Sequence, residues 1–558
     1  MHTCILFLII IFYQPTICAQ STNSLLPLKD RLDLVFDRYN DEYVEKGHQA
    51  CVMISDSIVW KGNYGISHDT FLIGENSLFP IGSLTKTLTS TVILQLIEEG
   101  KLTLADTIGE FLPAHENINP SITIEQLLNH SSGLYDGSDD PDYWDTLWSN
   151  PEKIWILDDW LHFTHEPYFQ PGEGFHYSNT GYFFLGEIIE QITGNSYKHE
   201  LTTRIIEPIA LKNTFYFPFD SLYDQLVHPW GPEWADQPGP LQDNAGKSIT
   251  NSNISAGGAA GATVANATDV AKLINSIFYK KDLIADSSIE KMIKINEEYI
   301  FLSDWLSGYG TFRQPFQRFS DNVMACVNGG LVQLFWSSAY SHILEDSITI
   351  ASCWNTLKSN NDVHHEIYTA FINTPPIDLT LSNVMFSEAL TPNSFVGSFE
   401  VLDTNYHDLS SYSFELIDGE MGEDNSCFKT SGNNLLANCE INSESDSIYH
   451  VRVKCHDGFG GYIEKAFSLK NNLVGIEKQK NSKSIKVFPN PAEDFIQLKS
   501  GSHNLNEIYY AIFDITGQQI SEGSIVSGII PLNRIQSGLY VLELHFNDGK
   551  VSRKILIQ

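Results

Sequence analysis

Apolar positions fall into three successive patterns along the chain. From about Pro27 to Asn373, helical periods alternate with short apolar strands and Gly-containing loops, the mixture expected of an α/β (α+β) domain. Leu84, Leu88, Val92, Leu96 and Ile97 recur at helical spacing and Glu98-Glu99-Gly100 supplies a stop, which predicts a helix opening near Ser83. A second helix is predicted after Tyr182, in the run FFLGEIIEQITG, and Ala325–Leu331 and Ser347–Trp354 read as strands. Thr374-Pro375-Pro376 then punctuates the chain. Residues 381–469 turn to alternating strand patterns rich in Ser, Asn and Asp, a Lys/Asn/Ser linker covers 470–484, and 485–558 is all-β. No repeat of fixed period is present. The pattern predicts one large mixed unit followed by two small all-β sandwiches.

Charge narrows the partners. The 558 residues include 34 Lys and Arg against 69 Asp and Glu, a net charge of −35, which repels phosphate backbones and argues against nucleic acid. Almost all of this acidity lies upstream of residue 484, because the last stretch is nearly neutral. No internal apolar run reaches the ~18 residues of a transmembrane helix. Ile5–Tyr13 (ILFLIIIFY), followed by Gln14-Pro15 and Ile17-Cys18-Ala19-Gln20, reads as a secretory signal peptide over residues 1–19. Ile17 stands where a lipoprotein anchor at Cys18 would require a small residue. Six cysteines remain after cleavage, with no C-x-x-C spacing, so no structural zinc or other metal site is implied. Cys427–Cys439 and Cys326–Cys353 are the two pairings compatible with an exported protein; free buried thiols serve equally well.

The candidate chemistry begins at Phe79-Pro80-Ile81-Gly82-Ser83-Leu84-Thr85-Lys86. A serine hydroxyl is a poor nucleophile until a base takes its proton, and a desolvated lysine three residues on, on the same helical face, can do so. The positive end of the helix favours negative charge developing beside Ser83. Taken alone, S-x-x-K also fits a capping serine with a surface lysine. Two further segments accompany it: Ile122-Thr123-Ile124-Glu125-Gln126-Leu127-Leu128-Asn129-His130-Ser131-Ser132-Gly133-Leu134, and Pro171-Gly172 leading to Tyr177-Ser178-Asn179.

The order S-x-x-K, I-T-I-x-x-L-L-x-H-x-S-G-L, P-G-x-x-x-x-Y-S-N resembles the serine β-lactamase and penicillin-binding-protein superfamily. Its class C-like branch of carboxypeptidases, D-aminopeptidases and esterases fits best. The resemblance covers residues 27–373 and implies an antiparallel sheet flanked by helices plus a helical subdomain. It implies Ser83 as acyl-forming nucleophile, Lys86 as its base and Tyr177 as proton shuttle to the leaving group. Asn179 would bond Lys86 and the substrate's acyl-side amide. The plainer readings are a core aromatic for Tyr177, a helix N-cap for Asn179, and capping or loop bonding for His130. In the third motif, Asn328-Gly329-Gly330-Leu331 replaces the family's K-T-G or H-x-G. Gly330 keeps the close backbone approach, and the N–H groups of Ser83 and Leu331 would form the oxyanion hole. Asn328 removes a cation expected to face the substrate's carboxylate, a contact worth ~1.5–3 kcal/mol, unless Arg313 or Arg318 replaces it. Neutral esters and amides are therefore expected over carboxylate-bearing substrates, with peptidoglycan-type peptides still possible as amides. Trp144, Trp148, Trp155, Trp160, Trp230 and Trp234 read first as core, and second as the wall of a groove.

Residues 381–469, with Phe395-Val396-Gly397-Ser398-Phe399, Asp403 and Asp457-Gly458-Phe459-Gly460-Gly461, resemble a cadherin-like repeat. Calcium would fall to Asp403, Glu444 and Asp457, but Asn442-Ser443-Glu444 lacks the first acidic ligand, so a spacer is expected. Residues 485–558, with Val487-Phe488-Pro489-Asn490-Pro491-Ala492, Ile512-Phe513-Asp514-Ile515-Thr516-Gly517 and Ser537-Gly538-Leu539-Tyr540-Val541, resemble the type IX secretion C-terminal sorting domain. The sequence thus points to an exported serine hydrolase without cofactor, taken to the cell surface or outside by the type IX machinery. The alternative is a surface binding protein that kept the fold and lost catalysis, motivated by Asn328.

Overall fold

The computed structural model describes residues 21–471 and 485–557, apart from 44–45, 219–221, 223–224, 233–240, 296–304, 319–320, 333–335, 357–361, 387–388, 404–411, 442–447, 489–491, 493, 501–507, 515–517, 526–527, 533–534, 537 and 547–548. The signal segment, most of the 470–484 linker, Trp234, Glu444 and the Asn490–Pro491 pair lie outside the described residues. The chain divides into two compact units, 1–472 and 473–558. Among the described residues no helix is long and apolar enough to cross a membrane.

The first unit opens with strand β1 (Thr22–Leu25), helix α1 (Leu28–Tyr43), and strands β2 (Gly47–Ile54), β3 (Ser57–His68) and β4 (Phe71–Leu72). Helices α2 (Thr85–Glu98), α3 (Asn179–Thr193) and α4 (Ala267–Asn275) follow, then strands β5 (Leu306–Ser307), β6 (Phe312–Arg318), β7 (Asp321–Val332), β8 (Trp336–Ile343) and β9 (Ile348–Trp354), and helix α5 (Asp362–Ile372). These strands form one antiparallel eight-stranded sheet in the order β5-β6-β7-β8-β9-β2-β3-β4.

Strands β8 and β9 are buried along their whole length, because both faces of the sheet are covered. On one face Val35, Phe36 and Tyr39 of α1 and Ile367 and Tyr368 of α5 pack on Val52, Ile350 and Ala339. On the other, Leu84 and, from α2, Leu88 and Val92 meet Cys51, Cys326 and Tyr340. Helix α2 has eleven buried residues out of fourteen, the signature of a helix enclosed on all sides. The fold is the β-lactamase/transpeptidase-like one that the motifs imply.

The second set of strands comprises β10 (Asp378–Leu381), β11 (Met385–Phe386), β12 (Phe395–Leu402), β13 (Ser413–Leu416), β14 (Phe428–Ser431), β15 (Asn434–Ala437), β16 (Ile448–His456) and β17 (Gly461–Asn471). One sheet runs β10-β12-β15-β14; the other runs β1-β17-β16-β13, with β11 also on β17. Leu379, Phe399 and Leu435 face Val451, Val453 and Ile463 between them. The edge strand β1 comes from the start of the chain and pairs with Gly461–Glu464 of β17. The sandwich is therefore fastened to the α/β domain and does not hang from it as a loose spacer. Arg31 on α1 donates to the carbonyls of Ala370 and Asn373 at 2.5 and 3.3 Å, and Asn373 Nδ2 donates to Asp457 Oδ2 at 2.8 Å.

Three readings that the sequence left open concern residues described here. Asp457 is fully buried and accepts from the N–H groups of Phe459 and Gly461, and Asp403 accepts from the Tyr412 hydroxyl; these carboxylates serve the loops, and the described residues form no three-ligand cluster. Cys326 sits opposite His342 and Cys353 opposite Ser338 on the strand between them, so two strand spacings of ~4.8 Å, plus an offset along the strands, preclude that disulfide. Cys427 and Cys439, at the base of the β14–β15 hairpin, are also free thiols.

The second unit holds β18 (Ile485–Phe488), β19 (Phe495–Ser500), β20 (Tyr509–Asp514), β21 (Gln519–Ser524), β22 (Ile529–Pro531), β23 (Gly538–Phe546) and β24 (Gly549–Ile557). Its sheets run β18-β19-β22 and β21-β20-β23-β24, around Ile496, Ile512, Ile530, Leu542 and Ile555.

Candidate active site

Ser83 lies in a short 3-10 turn, Gly82–Leu84, that feeds directly into α2. Gly82 has φ +51°, and a Cβ there would come within 2.6 Å of the Leu331 carbonyl oxygen and 3.0 Å of its nitrogen. A Cβ on Gly330 would meet Ile81 O at 1.9 Å. Both glycines thus let strand β7 run hard against the turn, which brings the main chain of Leu331 beside Ser83.

Lys86, one turn into α2 and 1% exposed, reaches back to the serine. Its Nζ is 3.2 Å from Ser83 Oγ, 2.8 Å from Asn179 Oδ1 and 3.0 Å from Ala260 O. Burial pulls the Lys86 amine down from 10.5 to about 7, against the opposing attraction of Asp136. Two of the three neighbours, Asn179 Oδ1 and Ala260 O, only accept hydrogen bonds. A neutral amine gives both hydrogens to them, so its lone pair is left facing Ser83 Oγ.

Tyr177 donates its hydroxyl to Ser83 Oγ at 2.8 Å. Burial raises this phenol well above its ordinary 10, only partly offset by the bond to Ser83, so the group is a hydroxyl and not a phenolate. The ring is clamped. His130 stacks on it at 4.4 Å, and Lys86 Nζ lies 4.8 Å from its centroid. His130 Nδ1 accepts from Ser178 N at 3.1 Å, and burial and the neighbouring Lys86 hold its imidazole well below 6.5. A neutral ring with an occupied Nδ1 matches the loop-bonding role expected of it.

Asn179 is not the cap of α3. Ser178 is the N-cap, accepting from Gly181 N at 3.3 Å, which leaves the Asn179 side chain for the site. Asn179 N donates to Asp136 Oδ2 at 2.6 Å, while its Oδ1 takes Lys86. Asp136, which sequence reasoning missed, is 3% exposed and also accepts from the backbone and hydroxyl of Ser138. It sits in an acidic run with no periodicity that could single it out. Ala260 O has no side-chain signal at all.

Asn328 is brought beside Ser83, but its side chain faces inward. It is 2% exposed, and Nδ2 lies 3.0 Å from Gly310 O, 3.2 Å from Thr87 Oγ1 and 3.4 Å from Ser83 O. Oδ1 accepts from Gly329 N. It ties β7 to the base of α2 and does not line the substrate space. Arg313, opposite Cys326 on β6, does not line it either, and the side chain of Arg318 lies outside the described ones.

A cavity of about 150 Å³ opens beside Ser83, with Asn179, Ser138 and Leu331 at its rim. Trp144 and Trp160 are on its wall, whereas Trp155 is buried in the adjacent core. The tryptophan run thus supplies core and wall together. Among the described residues no lysine or arginine is on this wall.

Residues 32–366 match the family described as Beta-lactamase, and residues 486–558 match the secretion system C-terminal sorting domain. Penicillin-binding protein 4* of Bacillus subtilis (strain 168) is 37% identical over 145 residues, 25% of this chain and 30% of that protein. Protein flp of Staphylococcus aureus (strain MW2) is 34% identical over 147 residues, 25% of this chain and 28% of that protein. The chain thus matches about three tenths of the length of these curated relatives. Among solved structures, D-amino acid amidase from Ochrobactrum anthropi SV3 aligns with a TM-score of 0.53 and 21% identity over 62% of this chain and 99% of that one. The penicillin binding protein from Bacillus halodurans gives 0.51 and 21% over 61% and 99%. At such identities these two likenesses concern the fold alone.

Proposed function

The chain belongs to the Beta-lactamase family, and on that premise we propose that it hydrolyses esters or amides through an acyl-enzyme on Ser83. The observation that carries this is Ser83 Oγ held between the Tyr177 hydroxyl at 2.8 Å and a Lys86 amine brought to about 7. The Ser83 proton passes to Lys86 Nζ as Oγ bonds to the substrate carbonyl carbon. The oxyanion is received by the N–H groups of Ser83 and Leu331. As the tetrahedral adduct collapses, Tyr177 gives its proton to the departing oxygen or nitrogen and recovers one from Lys86. Water then attacks the acyl-enzyme by the reverse relay, and the acid is released with Ser83 restored.

Among the described residues the wall carries no cation, which favours plain esters and amides over those bearing a carboxylate at the reacting end. The motive for the rival reading, a binding protein without catalysis, was the missing cation at Asn328; its inward bonds to Gly310 and Thr87 give that reading no support. The sorting segment at 486–558 and the signal-like residues 1–19 fit export by type IX secretion to the cell surface or beyond. The test is labelling with a fluorophosphonate alongside ester turnover. Wild-type protein is labelled and active, and Ser83→Ala is neither. Equal labelling of both proteins, or none of either, refutes the hydrolase.

A further inference from the structure

We propose that Asp136 is a positioning residue for acylation, fixing Asn179 and, through Asn179, the Lys86 amine against Ser83. This deepens the proposed hydrolase and rests on it. Asp136 lies two residues beyond Leu134, where the recognisable motif ends, and it is not on the wall of the cavity beside Ser83. Any part it has in the reaction is therefore played through its neighbours.

The carboxylate is 3% exposed and only accepts. Oδ2 takes Asn179 N at 2.6 Å, and Oδ1 takes Ser138 N at 2.9 Å, Ser138 Oγ at 2.7 Å and Asn179 Nδ2 at 3.4 Å. A buried carboxylate is stable only when its lone pairs are met in this way, and two of these donors belong to Asn179. The first is the N–H of the residue that opens α3, one of the donors a helix leaves unpaired at its start. The second decides which end of the Asn179 amide is nitrogen, so Oδ1 is turned from Asp136 and takes Lys86 Nζ at 2.8 Å. The turn that carries Asp136 is seated on the same helix. Gly137 N donates to Thr180 Oγ1 at 3.1 Å, and a Cβ on Gly137 would meet Trp160 Cε3 at 2.6 Å, so the carboxylate stays in register with Asn179.

Charge separates this role from a purely structural one. Tyr177 and Tyr182 beside Lys86 are kept as hydroxyls by burial, and His130 as a neutral imidazole. Among the described residues Asp136 is the anion whose attraction opposes burial at Lys86. Taking the carboxylate away therefore both loosens Asn179 and lowers the Lys86 amine further. A residue that only holds the fold would change the amount of active protein and leave the amine where it is.

The test is kcat/KM for 4-nitrophenyl acetate from pH 5 to 9, which reports acylation of the full-length protein. In Asp136→Asn the plateau falls by roughly 10- to 100-fold, and the rising limb moves from about 7 to about one unit lower. An unmoved limb overturns the inference. Acting through Asn179 makes the two residues non-additive. In an Asn179→Ala background, Asp136→Asn lowers the plateau by about twofold or less, and a loss as large as in the wild-type background also overturns the inference. Should Asp136→Asn fail to fold, Asp136→Ser keeps an acceptor for one N–H group and equally removes the charge, and it takes the same place with the same expected limb. Wild-type protein without Ser83-dependent turnover overturns the hydrolase and this role together; turnover with an unmoved limb overturns the role alone.

Discussion

Replacing Lys86 by methionine separates the energetic cost of a buried amine from its chemistry. Methionine has similar length and no titrating group. Lys86 is 1% exposed and drops from 10.5 to about 7 on burial, which corresponds to about 5 kcal/mol of penalty on the charged form. The unfolded chain binds a proton between pH 7 and 10.5 that the native protein does not. Native stability therefore rises with pH across that window, by about 1.4 kcal/mol per pH unit, and the full penalty is present below 7. Lys86→Met also strips donors from Asn179 Oδ1 and Ala260 O, a loss of ~1–3 kcal/mol each that does not vary with pH. The slope is thus the diagnostic. Relative to wild type, Lys86→Met is most favoured at pH 6–7 and loses about 4 kcal/mol of that standing by pH 10. The assay is urea unfolding read by tryptophan fluorescence. All ten tryptophans lie between residues 60 and 354, so the signal reports the catalytic domain and ignores the β modules, whose separate transitions would otherwise spoil a two-state treatment. A difference between the two proteins that stays constant from pH 7 to 10 refutes the buried neutral amine.

Two further outcomes follow from the same geometry. The value of kcat/KM rises with pH through about 7 and then levels, because acylation needs Lys86 neutral; Tyr177→Phe lowers the plateau by 10²–10⁴ while leaving the limb in place, and a wild-type limb nearer 10 would contradict the base assignment. His130→Leu leaves Ser178 N without its acceptor and Tyr177 without its stacked partner, costing ~1–3 kcal/mol of stability and a fall in kcat. The limb near 7 remains, and its disappearance would mean that His130 itself titrates in the reaction.

The parts of the site that the sequence announces are those whose chemistry depends on side-chain identity at fixed local spacing. Ser83 and Lys86 share a helical face, and Tyr177 and Asn179 open another helix. The sequence reads Asn179 as the cap, but the preceding Ser178 is an equally good capping type and its side chain is the one that reaches back to the first turn. The inward direction of Asn328 follows from strand alternation. It shares a face with Gly330, and Gly330 is glycine because that face presses on Ile81. A motif comparison alone assigns the position and misses the direction. The pairing of β1 with β17 joins residues more than 430 positions apart, and no local pattern encodes it.

Asn179 stands between the amine and the carboxylate, and that placement decides what Lys86 can do. A carboxylate in direct contact with Lys86 would hold the ammonium charged, and a charged lysine has no lone pair to offer the serine. Asp136 instead spends its oxygens on Asn179 N, Ser138 N and Ser138 Oγ. Its attraction reaches Lys86 only at a distance and fails to outweigh burial. Asn179 presents an acceptor to the amine and donors to the acid, so it positions both while keeping them apart. The acidity of the chain as a whole, −35, is thus shut out of the one place where a neutral amine is needed. Tyr177 remains a hydroxyl in the same environment because burial pushes its ionisation in the opposite direction. One desolvated space therefore holds a ready base and a ready acid on either side of a single serine oxygen.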